Sequence, residues 1–105
     1  EGNHEITDNH IVRWQDIAGA GGDAIELHAN GNSIFASIVS RNVVHGNGAA
    51  RYGIPLHGDG QNSVGWVDVS GNMFSFWQVG IKIDDHVVYP QMVNNMGVAT
   101  GTLQQ

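Results

Sequence analysis

The chain contains no cysteine among its 105 residues. That absence excludes a disulfide-stapled scaffold and a thiolate zinc site. Basic residues are also scarce: four Lys and Arg face ten Asp and Glu, for a net charge of −6. Such a surface repels nucleic acid and anionic membranes, so neither is expected as a partner. Leucine occurs only at Leu27, Leu56 and Leu103. Helical bundles and coiled coils draw heavily on leucine, so neither is expected. No run of about 18 apolar residues exists, and no insertion into a bilayer is expected. No basic-then-apolar leader opens the chain, so no signal peptide is expected. Charged residues are only 13%, yet apolar residues reach 41% and net charge is modest, which argues against disorder.

What the chain has instead is nine Ile, twelve Val, fifteen Gly and ten Asn. β-Branched side chains suit a pleated, half-buried surface. Gly and Asn suit sharp turns. The length fits one domain with a small core.

An internal repeat organises these residues. Asn32-Ser33-Ile34-Phe35-Ala36-Ser37-Ile38-Val39-Ser40-Arg41-Asn42 matches Asn62-Ser63-Val64-Gly65-Trp66-Val67-Asp68-Val69-Ser70-Gly71-Asn72 at an offset of 30. Shorter copies are Ile6-Thr7-Asp8-Asn9 and Met92-Val93-Asn94-Asn95. Asn9, Asn42, Asn72 and Asn95 thus form one recurring position. A second block runs Asp23-Ala24-Ile25-Glu26-Leu27-His28, then Tyr52-Gly53-Ile54-Pro55-Leu56-His57, then Val79-Gly80-Ile81-Lys82-Ile83-Asp84. Its alternation has the period of a strand. Ile25, Leu27, Ile54, Leu56, Ile81 and Ile83 should point inward. Glu26, His28, Pro55, His57, Lys82 and Asp84 should point outward. A third strand fits the apolar run after each Asn.

Three short strands per repeat of about 30 residues fit one coil of a parallel β-helix, stacked at about 4.8 Å. The fold class expected is all-β: a single-stranded, right-handed parallel β-helix of three to four coils over residues 1–97. A short helix is an alternative near 11–18, from the spacing of Ile11, Trp14 and Ile17. Gly19-Ala20-Gly21-Gly22 and Gly46-Asn47-Gly48-Ala49-Ala50 read as loops. Residues 98–105 lose the pattern and read as a C-terminal tail. The recurring Asn tolerates the left-handed backbone of a sharp turn and can hydrogen-bond from coil to coil as a ladder. A stack this short exposes apolar core and sheet edge at both ends. Either the chain belongs to a longer helix or copies of it associate to cover them.

The segments "IVSRNVVHGNGAARYGIPLHG" and "VDVSGNMFSFWQVGIKIDD" resemble the right-handed β-helix repeats of the pectin-lyase-like superfamily, over roughly residues 4 to 97. Within it the chain is most similar to bacteriophage tailspikes. The resemblance implies a virion or extracellular location, a trimer, and recognition and cleavage of bacterial surface polysaccharide. A purely structural trimerisation segment of a fibrous phage protein and a secreted pectate-lyase-like enzyme are the alternatives.

Hydrolysis of a polysaccharide needs two carboxylates about 5–9.5 Å apart. Glu26, Asp59, Asp84 and Asp85 are the candidates, from an outward strand position and the turns that follow; the alternative is ordinary turn chemistry for the Asp residues and a solvating role for Glu26. His28 and His57 align in consecutive repeats, with Asp84 in the third. That column could serve as a weak metal site, a base pair or a sugar-binding surface. No HExxH, CxxC or EF-hand spacing is present, so neither a metal nor a cofactor is expected. A lyase would also need a cation, for which Lys82, Arg51 and Arg41 are available. Phe74 and Phe76 share a parity and should both be core. Trp77 has the opposite parity: exposed, it would offer a platform for a sugar face beside His28, His57 and Lys82; the alternatives are packing at a subunit interface or in the core.

Overall fold

Alternation confined to very short runs between turn residues makes strands too short to stand alone, so each must pair with a distant copy of itself. The computed structural model of the protein describes residues 4–12, 23–47 and 51–105, and over that range it is all-β with no helix. The chain first forms β1 (Glu5–Thr7), β2 (His10–Val12) and β3 (Leu27–Ala29). A second circuit forms β4 (Ile34–Phe35), β5 (Ile38–Ser40), β6 (Val43–His45) and β7 (Tyr52–Gly58). A third forms β8 (Val64–Gly65), β9 (Asp68–Ser70), β10 (Met73–Ser75) and β11 (Val79–Ile83). The last forms β12 (Val87–Val88), β13 (Gln91–Val93), β14 (Met96–Val98) and β15 (Thr102–Gln104). Residues 11 and 12 belong to β2; the rest of the alternative helix lies outside the described residues. So do the 19–22 loop and residues 48–50.

Every pairing between named strands is parallel and joins neighbouring circuits. The sheets are β1-β5-β9-β13, β2-β6-β10-β14, β3-β7-β11-β15 and β4-β8-β12. This arrangement of stacked parallel sheets is consistent with a parallel β-helix. Register aligns like with like. Ile6, Val39, Val69 and Met92 form one inward column. Ile11, Val44 and Phe74 form another, and Leu27, Leu56 and Ile83 a third. Ile34, Val64 and Val87 close the fourth side.

The structure corrects three expectations. A full circuit carries four strands rather than three, because the repeated Asn-to-Asn block bends in its middle. Ala36, Trp66 and Tyr89 stand there with φ of 54°, 47° and 51°. Residues 102–104 are not a tail, since β15 pairs with β11. The left-handed residue at the next corner is not the ladder Asn but the one before it: Asp8, Arg41, Gly71 and Asn94, with φ of 58°, 54°, 65° and 59°.

The Asn side chains do a different job. The Nδ2 groups of Asn9, Asn42 and Asn72 donate to the Oδ1 of the next Asn at 3.0, 3.0 and 3.1 Å. Their backbone N–H groups donate to the same oxygens at 3.0 Å. Nδ2 of Asn42, Asn72 and Asn95 also donates back to the carbonyls of Ile6, Val39 and Val69 at 3.0, 2.9 and 2.8 Å. Asn42 and Asn72 are buried, so each satisfies backbone groups that water does not reach.

Replacing Asn42 or Asn72 by Ala should lower stability by about 2–4 kcal/mol, because several buried partners lose their hydrogen bonds together. Asn9→Ala, at the exposed end, should cost only about 1 kcal/mol. Urea unfolding midpoints of the three variants measure this; equal, negligible shifts would contradict it.

Candidate functional site

Leu27 points into the core, so alternation turns His28 of β3 and Glu26 just before it outward. His28 pairs in register with His57 of β7. Their rings stack with centroids 3.9 Å apart and planes 22° from parallel. Glu26 Oε1 lies 2.6 Å from His57 Nε2 and 3.7 Å from His28 Nδ1. Asp84 was expected to complete this column. Its backbone N–H donates to the Leu56 carbonyl at 3.0 Å, one register step from His57. Its carboxylate instead sits 3.6 Å from Lys82 Nζ. Glu26, rather than Asp84, therefore joins the imidazoles. Beside them opens a cleft of about 380 Å³ bordered by His4, Glu5, Glu26 and His28.

Asp59 stands in the turn after β7. Its carboxylate accepts from the backbone N–H of Gly31 at 3.0 Å, of Gln61 at 3.0 Å and of Asn62 at 2.9 Å, and from Asn62 Nδ2. Gly31 belongs to the turn one circuit earlier, so this carboxylate ties two turns together. The backbone donors of Gln61 and Gly31, then the Asn62 side chain, hold its pKa far below the usual carboxylate range. A carboxylate saturated by donors suits turn-building better than proton transfer. Asp85 is exposed in the corresponding turn of the next circuit, where its carbonyl accepts from Gly58 N–H at 3.1 Å. The four candidate carboxylates thus have different tasks.

Among the described residues the cations Arg41, Arg51 and Lys82 are each paired with a carboxylate. Arg41 grips Asp8 with Nε–Oδ1 and Nη2–Oδ2 bonds of 2.9 Å each. The Arg41 side chain lowers the Asp8 pKa through this hydrogen bond, and Asp8 raises that of Arg41 in return. Arg51 lies 3.5 Å from Asp23 and 4.5 Å over the Tyr52 ring.

The aromatic residues depart furthest from expectation. Trp77 is not an exposed platform: it is 2% exposed, and its Nε1 donates to the Val44 carbonyl at 3.0 Å. Phe76, expected in the core with Phe74, is exposed. The cause is Phe76 itself, at φ 61°. A left-handed corner residue breaks strand alternation, throwing its own side chain out and the next one in. Gly46 makes room for the indole, since a Cβ there would meet Trp77 at 3.0 Å.

The same rule exposes a column that parity did not reveal. Trp66 and Tyr89 are left-handed corner residues, 61% and 73% exposed. Their rings lie 5.8 Å apart and only 11° from parallel. Phe35, on the adjoining strand, lies 5.5 Å from Trp66. A Cβ at Gly65 would sit 2.9 Å from the Phe35 ring, so that ring needs glycine beneath it. The offset-30 match of Ala36 with Trp66 was visible in the sequence, but nothing there marked it as a corner.

No family model matches the chain, and no curated protein or solved structure matches it.

Asp59 contributes stability that is fully present above its unfolded pKa of about 3.9 and is lost as pH falls below that value. Asp59→Asn should therefore lower stability at neutral pH and flatten the decline between about pH 4 and pH 2; denaturant midpoints across that range test it. Trp77→Ala should cost about 3–5 kcal/mol and Trp66→Ala no more than about 1 kcal/mol. Thermal unfolding of the two variants separates them, and equal costs would contradict the assignment of core and surface.

Proposed function

We propose that the chain is a segment of right-handed parallel β-helix, of about four coils, from a tailspike-like receptor-binding protein, and that it recognises bacterial surface polysaccharide. The observation that carries this reading is the exposed column Phe35–Trp66–Tyr89. A flat apolar ring binds the flat apolar face of a sugar, and a rigid stack of strands presents successive rings without an ordering cost at binding. Asp68 and Gln91 open β9 and β13 two residues beyond Trp66 and Tyr89. They supply polar groups for sugar hydroxyls. A net charge of −6 favours a neutral or aminated glycan over a polyuronate. That weighs against a pectate-lyase-like enzyme. Cleavage would draw on the Glu26–His57 pair beside the open cleft.

One observation favours the structural alternative. The outer face of β2-β6-β10-β14 carries Val12, Val43, Met73, Met96 and Val98, with His10 and His45 but no Asp, Glu, Lys or Arg among its described residues. Such a face suits contact between copies in a homotrimer.

In a panel of purified bacterial surface polysaccharides, at least one neutral or aminated glycan should bind and perturb tryptophan fluorescence. Trp66→Ala should weaken that binding by at least about tenfold, the scale of a lost stacking platform. Trp77→Phe should leave it unchanged. A chain that binds no glycan yet has the mass of a trimer by light scattering would replace this reading with the structural one.

A further inference from the structure

We propose that Glu26, His28 and His57 form a binding site for one divalent transition-metal ion of the Zn2+ class. Three donors of the two types that such ions prefer, two imidazoles and one carboxylate, converge here from β3, the residue before it, and β7. Their ligand atoms all lie within 4.8 Å of one another. His28 Nδ1 lies 3.7 Å from Glu26 Oε1, beyond hydrogen-bond distance. At His57 the converging nitrogen is Nε2, which Glu26 Oε1 holds at 2.6 Å, and an ion would take the place of the proton in that hydrogen bond. Coordinating nitrogens are therefore available in both rings.

The fit needs only side-chain movement. Zn–N and Zn–O bonds of about 2.0–2.2 Å in a tetrahedral site place donor atoms about 3.3 Å apart. The observed separations of 2.6 and 3.7 Å from Glu26 Oε1 bracket that value. The stacked rings must splay so that both lone pairs meet one ion. All three side chains are partly exposed, so they are free to do so. Register fixes the backbone beneath them: His28 and His57 are paired residues of β3 and β7. The fourth position would face solvent beside the cleft lined by His4, Glu5, Glu26 and His28, leaving room for water or a further ligand. A hard cation such as Ca2+ is a poor match, because it prefers six to eight oxygens.

The site shares Glu26 and His57 with the cleavage reading but no residue with the aromatic column, and it is tested without any glycan. Zn2+ should bind to the folded chain at one ion per chain in calorimetric titration at neutral pH. His28→Ala and His57→Ala should each weaken it by at least about tenfold, as expected for a lost ligand. Glu26→Gln should weaken it while preserving the far-ultraviolet dichroism of the fold. His45→Ala, in the other histidine pair, and Trp66→Ala should leave it unchanged. Co2+ in place of Zn2+ should give visible absorption that His57→Ala abolishes. No stoichiometric Zn2+ binding, equal loss in His45→Ala, or unchanged affinity in His57→Ala would each overturn the proposal, as would Ca2+ binding more tightly than Zn2+.

Discussion

Register between successive circuits is the constraint on which everything else depends. Among the described residues no strand pairs with a neighbour in its own circuit; each finds its partner one circuit away. A strand of two or three residues offers too few hydrogen bonds to choose among registers. A slip by one residue would put its apolar set in water. The Asn ladder removes that freedom. Each internal Asn binds the backbone of one neighbouring circuit and the side chain of the next. These bonds exist in one alignment only, and they lie where water does not compete.

Once register is set, the corners decide what faces outward. Columns of left-handed residues, Asp8–Arg41–Gly71–Asn94 and Ala36–Trp66–Tyr89 among them, bend the circuits. One of them, Asp8–Arg41–Gly71–Asn94, feeds directly into the ladder. Its two charged members clasp one another across circuits with both guanidinium contacts. The column through Ala36, Trp66 and Tyr89 has a surface role instead, because a left-handed residue at a convex corner has nowhere to place its side chain except in solvent. Pairing in register then brings like side chains together. The stacked rings of His28 and His57 and of Trp66 and Tyr89 both arise this way. Repetition along the chain becomes clustering in space, and the exposed chemistry of this molecule follows from it.

Much of this was legible from spacing alone. The recurring Asn, the inward Ile and Val, and the alignment of His28 with His57 are all periodic features of the chain, and periodic features survive any error in handedness or coil number. Trp77 and Phe76 were misplaced because parity counting assumes a continuous strand. Phe76 itself, at φ 61°, inverts the count. Asp84 was aligned with the histidines correctly, yet Lys82 on its own strand draws its carboxylate aside while Glu26 reaches across. Alignment does not report which rotamer a flexible side chain adopts.

By itself, the sequence determined an all-β chain of repeated short strands, its inward columns and its Asn ladder, because burial and periodicity act locally and leave a pattern in residue order. Only the tertiary structure decided where each circuit bends, and hence that Trp66 and Tyr89 face solvent while Trp77 is core. It alone decided that Glu26 meets both histidines and that Asp59 is held by turns of two circuits. Those outcomes depend on backbone dihedrals and on partners about 30 residues away, and neither leaves a periodic mark on the chain.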